Sequence, residues 1–381
     1  MSVNKALRVC YFGTYRATYP RNRLNIERLR MNEVEVVECH AGLWKGLEDR
    51  EQVAGGGWLK PGFWLRAILA YLRLIWRYLH VGRYDVLIVG YPGQPDIPLA
   101  RLLSWLRRKP LVYDVMMSIY LIAQERGLEQ SSSFSVRLIR SVERLACRLP
   151  DLLIIDTSEY ARWYQDNYGI RSEKIRLLPL GADDRLFKPR DCHEKDDSIF
   201  LCLYYGTFIR NHAPGVIVEA AHLLAGDPTI QFEMIGQGPE HEKTVALANS
   251  YGLANLTFIE WMEVEGLVQR VACADVILGT FGVTPQALMT MQHKIHEGLA
   301  MAKPIINGES PVMSSTLQHG ETIYLCERQS PRALADAILT IRDDQQLRAR
   351  LARQGYKIYQ ENLTFNKIGM KLKQYLEELH R

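Results

Sequence analysis

At 381 residues the chain is long for one ordinary hydrophobic core and fits two domains. Its 47% hydrophobic and 24% charged residues match a chain that folds throughout and exclude extended disorder. A net charge of +4 excludes a surface dedicated to a polyanion, so nucleic acid is not an expected partner.

Short apolar runs alternate with longer helical patterns from end to end, which predicts parallel sheets joined by crossover helices and an α/β fold. The run before Gly13 is too short for a signal-peptide core and reads as a first strand, so a cytoplasmic protein is expected. Strands are predicted at residues 8–12, 34–38, 85–90, 111–114, 152–156 and 175–178 in the first half. In the second half they fall at 199–205, 231–235, 256–259, 275–278, 304–306 and 323–326.

Residues 63–79 are the most apolar stretch. Arg66, Arg73 and Arg77 interrupt it, each costing about 2.5–3.5 kcal/mol at a bilayer centre, so it does not span a membrane. From residue 52 to 84 there is no acid, while Lys60, Arg66, Arg73, Arg77 and Arg83 alternate with Trp58, Phe63, Trp64, Tyr71 and Trp76. On a helix Arg66, Arg73, Arg77 and His80 share a stripe of about 60°. Two readings stand side by side: the stripe meets an anionic membrane surface on the acceptor side, or the helix packs on the sheet and shows water only this stripe.

Tyr11-Phe12-Gly13-Thr14-Tyr15 at the first strand is echoed by Tyr204-Tyr205-Gly206-Thr207-Phe208 at the first strand of the second half. Ligands of open α/β sheets bind at the carboxyl ends of strands, so both glycine turns should border a binding site. The seven cysteines, at 10, 39, 147, 192, 202, 273 and 326, show no metal or disulfide spacing and read as small core residues of a reducing cytosol. Residues 187–197 are polar, contain Pro189, and read as a linker. Past residue 361, Ile368, Leu372, Tyr375 and Leu376 recur at helical spacing, which predicts one amphipathic tail helix.

The segment from His293 to Ile306 runs from a short helix into a strand and follows a loop containing Phe281, Gly282, Val283 and Thr284. Amide groups at that helix start suit an anion. Lys294 and Glu297 share a face, which permits a cation for phosphate beside a carboxylate for ribose hydroxyls, although an ordinary surface ion pair has the same spacing.

The run from Lys294 to Ile306 resembles the donor-site segment of the retaining, GT-B-fold glycosyltransferases of family 4 (glycosyl transferases group 1). Residues 181–189 are similar to that family's interdomain segment, Gly206-Thr207-Phe208-Ile209-Arg210 to its first C-domain loop, and Ile235-Gly236-Gln237-Gly238-Pro239 to its second glycine turn. The resemblance implies two Rossmann-like domains facing each other across a cleft: an acceptor domain at 1–184, a nucleotide-sugar domain at 185–360, and a tail helix at 361–381 returning to the first. It implies transfer of a hexose-type sugar from a nucleotide-diphosphate sugar to a glycan or lipid-linked acceptor, with retention, as in polysaccharide assembly.

Arg210 and Lys294 are then the cations for the departing diphosphate, with His212 second to Arg210. Gly13, Gly206, Thr207, Gly236, Gly238 and the 281–284 loop approach the donor, and Asp114 or Ser118 faces the sugar. Arg21, Asn22 and Arg23 form a loop with Gly13. Family members commonly carry two glutamates eight residues apart; here Met289 replaces the first and Glu297 is the second. No Asp-x-Asp triplet occurs, so neither metal nor other cofactor is expected. A nucleotide-sugar epimerase or hydrolase, or a non-catalytic binding protein, are the alternatives.

Overall fold

The computed structural model describes residues 6–17, 19–43, 61–128, 133–192, 196 and 198–380. Trp58 and Lys60 of the basic stretch, and residues 193–195 and 197 of the expected linker, lie outside these. The chain divides into two units, Met1–Pro179 with Asn366–Arg381, and Leu180–Phe365.

The first unit holds β1 (Arg8–Gly13), α1 (Pro20–Met31), β2 (Glu35–His40), α2 (Pro61–Leu79), β3 (Val86–Val89), α3 (Ile97–Leu106), β4 (Leu111–Asp114), α4 (Ile119–Glu125), α5 (Ser133–Arg148), β5 (Leu152–Ile155), α6 (Ser158–Tyr168) and β6 (Ile175–Leu177). Its six strands are parallel in the order β2-β1-β3-β4-β5-β6. The second unit holds β7 (Phe200–Tyr205), α7 (Pro214–Leu223), β8 (Ile230–Ile235), α8 (His241–Tyr251), β9 (Leu256–Ile259), α9 (Val264–Cys273), β10 (Val276–Leu278), α10 (Pro285–Met289), α11 (His293–Ala300), β11 (Ile305–Gly308), α12 (Pro311–Thr316), β12 (Tyr324–Cys326), α13 (Pro331–Asp343) and α14 (Gln345–Asn362). Its strands are also parallel, in the order β12-β11-β10-β7-β8-β9. All twelve predicted strands are present with ends within two residues, because a parallel strand is buried on both faces and announces itself as an unbroken apolar run, as in Val86–Val89.

The predicted tail helix is α15 (Phe365–His380), which buries Ile368, Leu372 and Leu376 against Val9, Ile26 and Leu178 of the first unit. The units divide a few residues away from the expected boundaries. Ala182 and Phe187 are buried in the second unit's core, and Asp184 Oδ2 accepts from the Phe365 amide (2.9 Å) and the Tyr359 hydroxyl (3.3 Å), which fastens 182–187 to that unit.

Two further expectations change. Cys192 and Cys273 form a disulfide, Cα atoms 5.0 Å apart, tying the chain after Pro189 to the end of α9. They are 81 residues apart in sequence, so no spacing rule could pair them. The other five cysteines are buried and free. Arg21 and Asn22 are not in a loop: they open α1 and are buried. Arg21 Nε lies 3.0 Å from both Asp114 oxygens and its Nη2 2.8 Å from Oδ1, while Asn25 donates to Oδ2 at 2.8 Å. Asn22 accepts from the Tyr91 amide (3.0 Å) and donates to the Tyr91 carbonyl (2.6 Å). Polar residues in the first turns of α1 thus replace apolar packing and lock the helix to the carboxyl edge of its sheet.

The carboxyl end of β1 is held by a buried acid. Asp96 accepts from the Thr14 amide (2.6 Å), the Thr14 hydroxyl (3.1 Å) and the Tyr71 hydroxyl of α2 (2.8 Å), and burial pushes its carboxyl up to about 6. Gly13, at φ 134°, leaves no room for a Cβ beside Asp96 Oδ2.

The Arg21–Asp114 pair is fully buried, so removing one partner strands the other charge. Arg21→Met should lower unfolding free energy by about 3–5 kcal/mol, and Arg21→Met with Asp114→Leu should recover most of it, read by urea denaturation. Equal losses in the single and double variants would contradict this account.

Candidate donor site in the second unit

In the second sheet the strand order reverses between β7 and β10, and at such a switch point adjacent loops leave in opposite directions and open a crevice at the carboxyl edge. The loops there are Gly206–His212 after β7, Gly236–Gly238 after β8 and Gly279–Thr284 after β10. Their glycines are required by contact. A Cβ on Gly236 would overlap the Gly206 carbonyl and one on Gly238 the Phe208 backbone, at φ of 135° and 151°. A Cβ on Gly282 would overlap the backbone of Arg210 and Asn211, so the β10 loop is pressed against the β7 loop.

Against these loops α11 places Lys294, which is only 4% exposed. Its Nζ lies 3.6 Å from the Tyr204 ring centroid, about 3.5 Å from where a Gly206 Cβ would be, and makes no hydrogen bond among the described residues. Burial holds the ammonium well below its usual pKa, with the charge of Glu297 opposing. Glu297, half-buried one turn on, is pushed up to about 7 by burial, with the Tyr205 hydroxyl and Lys294 acting in the other direction. His212 Nδ1 meets the Tyr204 hydroxyl at 2.9 Å, and burial, then the charge of Lys294, drives the imidazole well below its usual value.

Gly206, Thr207, His212, Gly236, Gly238, Phe281, Gly282, Lys294 and Glu297 therefore lie at one edge of one sheet, on loops and a helix in mutual contact. Arg210 is on the same β7 loop with its side chain exposed, and Phe281 is buried where its amide donates to the His212 carbonyl at 3.0 Å. Val283 is 49% exposed, and Thr284 caps α10 through the Ala287 amide. Gly13, Asp114, Arg66, Arg73 and Arg77 belong to the first unit. Asp114 is committed to Arg21 and Asn25, so both of its oxygens are already engaged; Ser118 is likewise engaged, donating to Glu143 (2.9 Å) and capping α4. Both are internal struts of the fold.

Some residues of the site carried no sequence signal. Tyr204 and Tyr205 read as strand residues, yet the Tyr204 ring floors Lys294 and the Tyr205 hydroxyl donates to the Lys294 carbonyl at 3.4 Å. Arg328 sits in a charged run that reads as surface; it donates through Nε to the Glu309 carbonyl (2.6 Å) and through Nη1 to the Gly282 carbonyl, and burial lowers it to about 10. Asn307 accepts from the Thr280 amide at 2.8 Å, holding the start of the β10 loop.

A buried amine without a hydrogen-bond acceptor beside the Gly206 turn can receive an anion, and fold and site together describe a two-Rossmann-unit glycosyltransferase of the GT-B class. Residues 13–181 match the glycosyl transferase 4-like domain and residues 188–358 the glycosyl transferases group 1. The chain belongs to the group 1 glycosyltransferases. It is 25% identical to a D-inositol 3-phosphate glycosyltransferase of Acidothermus cellulolyticus over 65% of this chain and 63% of that one, so the match spans a little under two thirds of that relative. It is 22% identical to a protein of the same name from a Nocardioides species, over 72% of this chain and 70% of that one. Among solved structures it is similar to sucrose-phosphate synthase of Thermosynechococcus elongatus, at TM-score 0.73 and 16% identity over 98% and 99% of the two chains. It is also similar to Anabaena HepE in complex with UDP and glucose, at TM-score 0.69 and 15% identity over 98% and 100%.

Without a ligand the buried ammonium costs desolvation energy that the Tyr204 ring and Glu297 return only in part. Lys294→Met should therefore raise the stability of the ligand-free protein by about 1–2 kcal/mol while abolishing its thermal stabilisation by UDP. A variant no more stable than wild type, or one that still responds to UDP, would count against an anion site at Lys294.

Proposed function

We propose that the chain transfers a hexose-type sugar from a nucleotide-diphosphate donor to a glycan or lipid-linked acceptor, with retention of configuration and without a metal ion. The observation that supports this most is the buried Lys294 Nζ, without a hydrogen-bond acceptor, beside the Gly206 turn. As the glycosidic bond breaks, the diphosphate gains negative charge, and a fixed cation with little water around it stabilises that charge without first having to reorganise. Lys294 and the exposed Arg210 fill this role, Glu297 accepts from ribose hydroxyls, and the amides of Gly282 to Thr284 reach the sugar.

Retention follows if the departing phosphate itself takes the acceptor proton on the same face, a reaction that asks no protein carboxylate to act as base; this suits a first unit whose Asp114 is already spoken for. UDP is the nucleotide to try first, since HepE is named in complex with UDP and with UDP-glucose. The relatives named for D-inositol 3-phosphate make a phosphorylated acceptor a natural member of the test panel. A cytoplasmic enzyme is the setting we infer, with Arg66, Arg73 and Arg77 toward an anionic membrane surface. No helix among the described residues is long and apolar enough to cross a membrane.

The test is transfer of radiolabelled sugar from a panel of UDP-sugars, with and without acceptors. Acceptor-dependent product supports the reading; turnover without acceptor would move it to a hydrolase or epimerase, and binding without turnover to a non-catalytic protein. Donor affinity has a predicted pH dependence. Because burial raises Glu297 to about 7, it loses its full acceptor capacity as pH falls through 7, so UDP should bind about three- to tenfold more weakly at pH 6 than at pH 8. Glu297→Gln should flatten that profile. Tighter binding at higher pH requires net proton release on binding, so calorimetry near pH 7 in buffers of different ionisation enthalpy should register release; uptake would contradict the role given to Glu297.

A further inference from the structure

We propose that the first unit docks on an anionic lipid bilayer with the apolar faces of α2 and α3 seated at the lipid interface, which deepens the acceptor-side reading above. Of the two readings of α2 left open by its sequence, its exposure removes the second, in which only the basic stripe meets water. Ala67, Ala70, Leu74 and Tyr78 form its buried side. On a helix advancing about 100° per residue, the opposite arc of about 140° runs from Trp64 to Leu69 and is wholly apolar. Leu65 is 61% exposed there, Leu72 58% and Trp76 63%. Arg73, Arg66, Arg77 and His80 occupy the stripe between, so the basic residues border an uncovered apolar face rather than being the only part in water.

The face continues onto α3. The Tyr78 hydroxyl donates to the Leu103 carbonyl at 3.1 Å, and Arg107 donates to the Tyr78 carbonyl at 3.2 Å with its guanidinium 4.4 Å from that ring's centroid, so the C-terminal ends of the two helices touch. Beside that joint Leu102, Trp105 and Leu106 are all more than half exposed. The crossovers β2 to β3, β3 to β4 and β4 to β5 all run the same way along the sheet, so their right-handed connections put α2, α3 and α5 on one face. On α5 the pattern recurs: Phe134 and Leu138 are exposed beside Arg137 and Arg144. The helix's one acid, Glu143, is buried beneath the Ser118 and Tyr168 hydroxyls.

Charge selects the occupant. Residues 61–84 and 97–113 contain no Asp or Glu, so the charges these two segments carry themselves are all positive, with Asp151 reaching Arg101 and Asp85 reaching Lys109 from other elements. In a twofold dimer through this face like stripes would confront each other, whereas lipid phosphates are their complement. Trp64, Trp76 and Trp105 are the side chains that settle where hydrocarbon meets headgroups.

Flotation of the full chain with vesicles of phosphatidylcholine, alone or with phosphatidylglycerol, tests this. Wild type should float with the anionic vesicles, shift its tryptophan emission to the blue, and partition at least tenfold less to neutral ones. Leu65→Ser/Leu72→Ser/Trp76→Ser, all exposed and so compatible with folding, should lose at least tenfold in partition, and Arg73→Gln several-fold at low salt. Stabilisation by UDP, a property of the second unit, should remain in both, which separates a failure here from a failure of the donor assignment. No flotation of wild type, or flotation of the triple variant equal to it, overturns the proposal. So does a wild-type dimer that the triple variant dissolves and anionic vesicles leave intact, because the occupant is then a second copy of the chain.

Discussion

The second unit is organised around a single unfavourable placement: the Lys294 ammonium held out of water without a hydrogen-bond acceptor. The Tyr204 ring under Nζ offsets part of the cost, and Glu297 one turn away offsets more, but neither supplies the hydrogen bonds that three ammonium protons need. The second core, packed on both faces of its sheet, carries that deficit. Around the lysine, Gly236, Gly238 and Gly282 let the loops after β8 and β10 press against the loop after β7, because a single Cβ at any of them would run into a neighbouring backbone.

That arrangement depends on strand order. A parallel sheet whose chain starts in the middle, at β7, and winds outward in both directions leaves its first and fourth strands side by side, with loops diverging from them. The first unit repeats the device with β1 and β3, yet fills the corresponding edge differently. There Arg21, Asn22 and Asn25 of α1 reach in and satisfy Asp114 and the Tyr91 backbone, so an edge that leaves Lys294 without a hydrogen-bond acceptor in one unit is a closed polar lock in the other.

Fold and donor site differed in how far the sequence revealed them. Strands such as Val86–Val89 are legible because burial on two faces leaves no place for a polar residue, and Lys294 and Glu297 are legible because one helix turn fixes their relation. What escaped prediction depends on partners distant in the chain. Cys192 with Cys273, Arg21 with Asp114, and Arg328 with Gly282 are pairs that only tertiary structure brings together. The exposed side of α2 escaped for another reason: an amphipathic pattern tells which residues are alike, and here two separate arcs of the helix are apolar while only one is covered.

Asp96 connects two of these features through one carboxylate. Its carboxylate is the shared acceptor of the Tyr71 hydroxyl, on the covered side of α2, and of the Thr14 amide that follows Gly13. A small roll or lift of α2 against its sheet therefore tugs the β1 turn directly, through one carboxylate, with the intervening chain left at rest. Helix α2 and the turn after β1 are in that sense a single lever with Asp96 as fulcrum.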